Sequence, residues 1–294
     1  MRLFNEVAAT AFRVLDKCSG ELEPDGPWRW QCAVENGTRL PIAASLDDGF
    51  LRLVCRPDGI RWHRAGLERA LLRNSTLGGS VKIAFDTAGR SFNLTTDIVV
   101  LEEKQLVDRF RLAIDGFHSG HHLLRLPAPR QSCPTPEDPA GNRLGELLRG
   151  ASWPVTERGP NEYSVELDAA SAPPARIRLS ECGVLVGVEL ARAGEAAKAS
   201  RRALALFLLT TSSALRLVRS YAEAVEGGFV YGMQVNLPAE PEAEEIDHAL
   251  AALSVAYRAC ALEADVLLNE ATARCYLAAR DPSTTNNHQS EEEN

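Results

Sequence analysis

Two rhythms of apolar residues alternate along this chain, and the alternation recurs. Leu3, Phe4, Val7, Ala8, Ala11, Phe12, Val14 and Leu15 have the spacing of an amphipathic helix over residues 3–17. Trp28, Trp30, Cys32 and Val34 then alternate with Arg29, Gln31 and Glu35, the period of a strand. A second strand runs through Leu40, Ile42, Ala44 and Leu46. Asp47-Asp48-Gly49 is a turn signal, and FLRLVC over 50–55 is a third strand. A helix over 65–73 follows. Two strands come next, SVKIAFD and SFNLTTDIVV, parted by a turn at Thr87-Ala88-Gly89, and a helix over 102–124 closes the segment.

The order then repeats. A short helix over 144–149 precedes EYSVELD, which puts Tyr163, Val165 and Leu167 on one face. ARIRLSECGVLVGVEL gives two strands around a turn at Glu181-Cys182-Gly183. A helix over 197–210, strands near 214–221 and 228–235, and one long helix over 242–279 complete the second pass. At an offset of about 137 residues, Leu71-Leu72 falls on Leu208-Leu209, Phe92 on Phe229 and Ile98 on Val235, as an internal repeat requires.

These patterns predict an α+β chain of two tandem modules. Each is a twisted, mainly antiparallel sheet of about five strands with helices, in the order α-β-β-β-α-β-β-α. The first module covers residues 1–125 and the second 143–280. Between them, residues 126–142 (LPAPRQSCPTPEDPAGN) hold five prolines, which remove backbone donors and favour extended chain, so this stretch reads as a semi-rigid linker. Residues 281–294 lack apolar side chains and read as a disordered tail.

Composition narrows the function classes. The chain has 294 residues, 45% of them hydrophobic and 24% charged, with a formal net charge of -8. A pI near 5.4 argues against general affinity for nucleic acid or anionic membrane, since phosphate binding needs clustered Lys and Arg. The N-terminal residues do not read as a signal peptide, and no apolar run reaches the roughly 18–20 residues that cross a bilayer. Seven scattered cysteines, none in a CxxC pair, predict reduced and mostly buried thiols in a cytoplasmic protein.

The element order resembles the class I type III secretion chaperones, the Tir-chaperone-like fold. The second module carries the resemblance most closely. Its apolar helix RRALALFLLTTSSALRLV leads into a strand, and a later strand ends in Asn236-Leu237-Pro238. Glu240, Glu242, Glu244 and Glu245 then open a long amphipathic helix with Ile246, Leu250, Leu253, Tyr257, Leu262, Val266 and Leu267. Acidic residues in a first turn suit the helix dipole. The resemblance implies a small acidic protein that binds an extended segment of a client protein without catalysis or cofactor. The chain is about twice the usual length, so its two modules would mimic the family's homodimer as a monomer with an internal pseudo-two-fold.

Strand three raises a specific expectation. It is apolar on both faces, with Phe50 and Val54 on one and Leu51, Leu53 and Cys55 on the other. Val184, Leu185, Val186 and Val188 do the same in the second module. Phe50, Leu51, Leu53, Val184, Leu185 and Val186 are therefore candidate partner-binding residues, facing either the other module or a client. Trp28 and Trp30 form either an exposed platform or the core face of their strand. His118, His121 and His122 have i,i+3 and i,i+4 spacing, so they are either a polar helix end or part of a metal site. That second choice is the alternative to a binding protein: an enzyme with a metal-dependent site there. No GxSxG, HExxH, P-loop or Rossmann pattern is present.

Overall fold

A computed structural model describes residues 22–24, 29–33, 39–47, 50–57, 64–99, 103–125, 141–149, 152–159, 162–180 and 183–280. The expected helix over 3–17, Trp28, residues 126–140 of the expected linker and the expected tail lie outside these residues. The first segment contains β1 (Leu22–Pro24), β2 (Arg29–Ala33), β3 (Arg39–Asp47), β4 (Phe50–Cys55), α1 (Arg64–Thr76), β5 (Lys82–Asp86), β6 (Ser91–Val99) and α2 (Glu103–Arg125). The second contains α3 (Gly141–Arg149), β7 (Val155–Gly159), β8 (Glu162–Val165), β9 (Ala175–Ser180), β10 (Gly183–Gly194), α4 (Lys198–Ser212), β11 (Arg219–Val225), β12 (Gly228–Leu237), α5 (Ala243–Leu267) and α6 (Glu270–Ala279).

The chain is α+β, with two antiparallel sheets. Their strand orders are β1-β2-β3-β4-β6-β5 and β7-β8-β9-β10-β12-β11, the same arrangement place for place. Each sheet has six strands rather than about five, because a short outer strand, β1 or β7, joins it. Those two strands are 3 and 5 residues long, too short to leave a strong periodic signal.

Local chemistry sets the turns. Asp47 pairs with Phe50, so Asp48 and Gly49 alone connect β3 to β4. The Asp86 carboxylate accepts from the Ala88 and Gly89 amides and closes the turn between β5 and β6. Gly183, which opens β10, has φ of 118°, and a Cβ there would meet the Leu237 carbonyl at 2.1 Å. No other residue fits that position.

One face of each sheet is core. Leu51, Leu53 and Cys55 of β4 and Leu94 and Ile98 of β6 are buried with Phe110, Ile114 and Phe117 of α2. Val184, Val186 and Val188 of β10 and Met233 and Val235 of β12 are buried with Ile246, Leu250 and Leu253 of α5, which packs on β10 and β12. Helix α2 lies so close to its sheet that two of its residues carry no side chain. A Cβ at Gly116 would stand 2.6 Å from Val81 Cγ2, and one at Gly120 would stand 2.8 Å from Leu94 Cδ2.

Two element boundaries differ from expectation. The strand expected near 214–221 begins at Arg219, because residues 213–218 form a loop in which Leu217 has φ of 60°. The long helix expected over 242–279 is two helices. Asn269 ends the first and caps the second, accepting from the Ala271 and Thr272 amides.

Candidate functional site

The two segments meet along a polar junction built from their edge strands and the loops before them. Helix α1 packs chiefly on β11 of the other sheet and on α4, while α4 packs on β5. Each edge strand sends a buried cation into the other segment's helix-to-strand loop. Lys82 Nζ, on β5, donates to the Val218 carbonyl at 3.2 Å and to the Leu215 carbonyl. Arg219, on β11, donates through Nη1 to the carbonyls of Asn74 (3.1 Å) and Leu77, and through Nη2 to that of Gly79.

Asp97 balances this charge. Its carboxylate lies 3.3 Å from Lys82 Nζ and 3.0 Å from Arg52 Nε, and accepts from the Leu217 amide at 3.3 Å. Burial pulls the Lys82 ammonium down from 10.5 to about 8; the nearby Asp97 carboxylate opposes the shift without cancelling it. Around this centre Arg52 donates to the Ser213 carbonyl at 2.6 Å, Arg109 pairs with Glu245 at 2.5 Å, and Arg201 pairs with Glu68 at 3.3 Å. All three join one segment to the other.

The expected partner-binding residues divide. Leu51, Leu53, Val184 and Val186 are fully buried in the two cores and offer nothing to a partner from outside. The reason is strand alternation: they occupy the helix-covered face. Phe50 and Leu185 point the other way and are half-buried. Phe50 stacks beneath the Arg216 guanidinium at 4.9 Å, so of the six residues it is the one in contact with the opposite segment. The pairing surface is thus the β5 and β11 edges with α1 and α4, rather than the second face of strand three.

His118, His121 and His122 all lie on α2, which runs unbroken through Gly120. His121 is buried, His118 is half-buried and His122 is exposed, so they do not converge. Among the described residues no three His, Cys, Asp or Glu side chains gather where they could hold a metal ion. Cys55 and Cys260 are buried free thiols, whereas Cys275 is exposed. Burial pushes the Cys260 thiol up to about 11, which keeps it unreactive at neutral pH.

A second site escaped the sequence. On the face of the second sheet turned away from α5, a trough of about 630 Å³ crosses from β11 to β8. Leu185, Gly187, Tyr221 and Gln234 line it, as do Arg176 and Arg178. Its depth comes from glycine. The Tyr221 ring lies flat over Gly232, where a Cβ would meet its Cζ and Oη at 2.6 Å. Two glycines within strand patterns, Gly187 and Gly232, were the available signal. No described helix is long and apolar enough to cross a membrane. Compared with protein-family models, curated proteins and solved structures, the chain matches none of them.

Proposed function

We propose that this is a non-catalytic protein-binding protein, similar to a type III secretion chaperone or a scaffold derived from one. In this reading the modules are tandem copies that pair within one cytoplasmic chain as an internal pseudo-dimer. The observation that carries it is reciprocity at the junction. The two sheets share one strand order, and each segment lends the other a helix and a buried cation. Two identical chains related by a two-fold axis exchange contacts in this isologous way. A covalent link between the halves holds each at high effective concentration near the other. The chain is then a monomer whose remaining surface is available to a client.

Two measurements test the reading. Sedimentation equilibrium of the full chain gives the mass of one 32.0 kDa chain at micromolar concentration. Affinity capture from the source cell's lysate recovers a client protein with a segment protected from trypsin, and ATP does not release it. A concentration-independent dimer mass, or turnover of a chemical substrate by the purified chain, overturns the reading.

A further inference from the structure

The outer faces of the two sheets differ. In the first sheet Asn93, Thr95 and Asp97 of β6 are all buried, and Arg52 beside them reaches the Ser213 carbonyl. That face is closed. In the second sheet the corresponding face is the open trough, and its charges are not all neutralised within the chain. Arg192 holds Glu189 through two bonds, at 2.5 and 2.7 Å, and Arg158 donates to Ser164 at 2.8 Å. Arg176 and Arg178 are different. They are exposed, they stand on the same face of β9 two residues apart, and no ion pair engages them among the described residues. Glu162 faces Arg178 across the strands without closing a salt bridge.

The geometry points to this trough as the seat of an extended acidic segment of a partner protein, with Arg176 and Arg178 receiving its carboxylates and Tyr221 forming the floor. The inference rests on the protein-binding reading above and names the class of partner. Two guanidiniums at i,i+2 on a strand stand roughly 7 Å apart, the repeat of same-side residues in an extended chain. The trough crosses five strands, roughly 19 Å at about 4.8 Å per gap, which accommodates about six extended residues. Burial pushes the Tyr221 hydroxyl up to about 12, helped by the neighbouring Glu223, so it stays protonated and can donate to a carboxylate. Gly187 sets the depth. A Cβ there would meet the Met233 carbonyl at 3.4 Å and Gln234 Cβ at 3.5 Å, so a larger side chain rises into the trough instead of breaking the sheet.

The test uses the full chain and fluorescein-labelled hexapeptides alternating Leu with Glu, Ser or Lys, followed by anisotropy. The Glu peptide binds best, and added NaCl weakens it. Combined Arg176→Glu and Arg178→Glu substitution weakens it at least tenfold. Gly187→Leu, which leaves every charge in place, weakens it at least fivefold with an unchanged thermal midpoint. Equal binding of the Glu and Ser peptides overturns the inference, as does Glu-peptide binding that survives both variants. A Ser or Lys peptide that binds best and is lost in Gly187→Leu also overturns the acidic class, while leaving the protein-binding reading intact. If no peptide binds, the inference falls, and the client capture described above decides separately whether the reading falls with it.

Discussion

Asn74 donates from Nδ2 to the Ser220 carbonyl at 2.9 Å, across 146 residues of sequence. The same amide group also donates to the Ile83 carbonyl, and its oxygen accepts from the Ile83 amide at 2.7 Å. One fully buried side chain therefore joins the end of α1 to both edge strands. On the other side Ser212 closes the end of α4 against Ser220, accepting from its amide at 3.3 Å. Each helix end is thereby pinned to the strand that follows it.

Asn74→Ala leaves the Ile83 amide and two carbonyls dry and unpaired. An unsatisfied buried group costs about 1–3 kcal/mol, so the variant should lose about 3 kcal/mol or more of stability. Urea unfolding measures this. Ser75→Ala, which removes only a bond to the Leu72 carbonyl within the same helix, should lose less than 1 kcal/mol.

Lys82 makes stability depend on pH in an uncommon direction. Its folded-state value, about 8, lies below the ordinary 10.5. Above pH 8 the native chain releases this proton while the unfolded chain keeps it, so stability rises with pH over that window. Above pH 9 the raised Cys260 thiol and above pH 10 the raised Tyr221 hydroxyl act oppositely, because the native chain then holds protons the unfolded chain loses. The clean window is pH 8–9, where Lys82 adds up to about 1 kcal/mol. Urea titrations at pH 8 and 9 should show the gain, and Lys82→Met should abolish it. A flat profile in the parent chain would mean that the buried ammonium titrates as an ordinary lysine.

Gly116 and Gly120 invert the usual helix rule. Alanine is the better helix former by about 1 kcal/mol, so substitution in an exposed helix would stabilise. Here the new methyl groups would press on Val81 and Leu94, and overpacking costs about 1–3 kcal/mol. Each single variant should therefore melt below the parent. Combining Gly116→Ala with Val81→Ala should recover part of the loss, since the second change makes room for the first.

The sequence carried the repeat and most elements because both write themselves into local periodicity. Hairpins around Asp48-Gly49 and Thr87–Gly89 were legible from turn chemistry alone. Gly120 was not: it reads as a helix breaker, and only contact with Leu94 explains its place within α2. Leu215 and Leu217 mimic a strand, yet their loop is held by Lys82 and Asp97 from more than a hundred residues away. Strand three misled for a related reason. Periodicity marks a face as apolar but cannot tell whether a helix of the same module or a partner covers it. The trough on the second sheet was hidden because glycines announce no chemistry until their neighbours are known.

The junction also bears on the expectation that two folded pieces separate once the connection between them is cut. With α1 seated on β11 and α4 on β5, each half completes the other. Pulling them apart would strip Lys82 of the Leu215 and Val218 carbonyls, and Arg219 of those of Asn74, Leu77 and Gly79. It would also leave Asp97 without the Leu217 amide. Water can satisfy these groups after separation, but the apolar packing of α1 and α4 would be lost with nothing in exchange. A protease site engineered between residues 126 and 140 should therefore yield a nicked protein that elutes from size exclusion at the volume of the intact chain. The fragments should part only in denaturant. Two peaks in native buffer after nicking would show that the junction holds only while the chain connects it, and that each half folds alone.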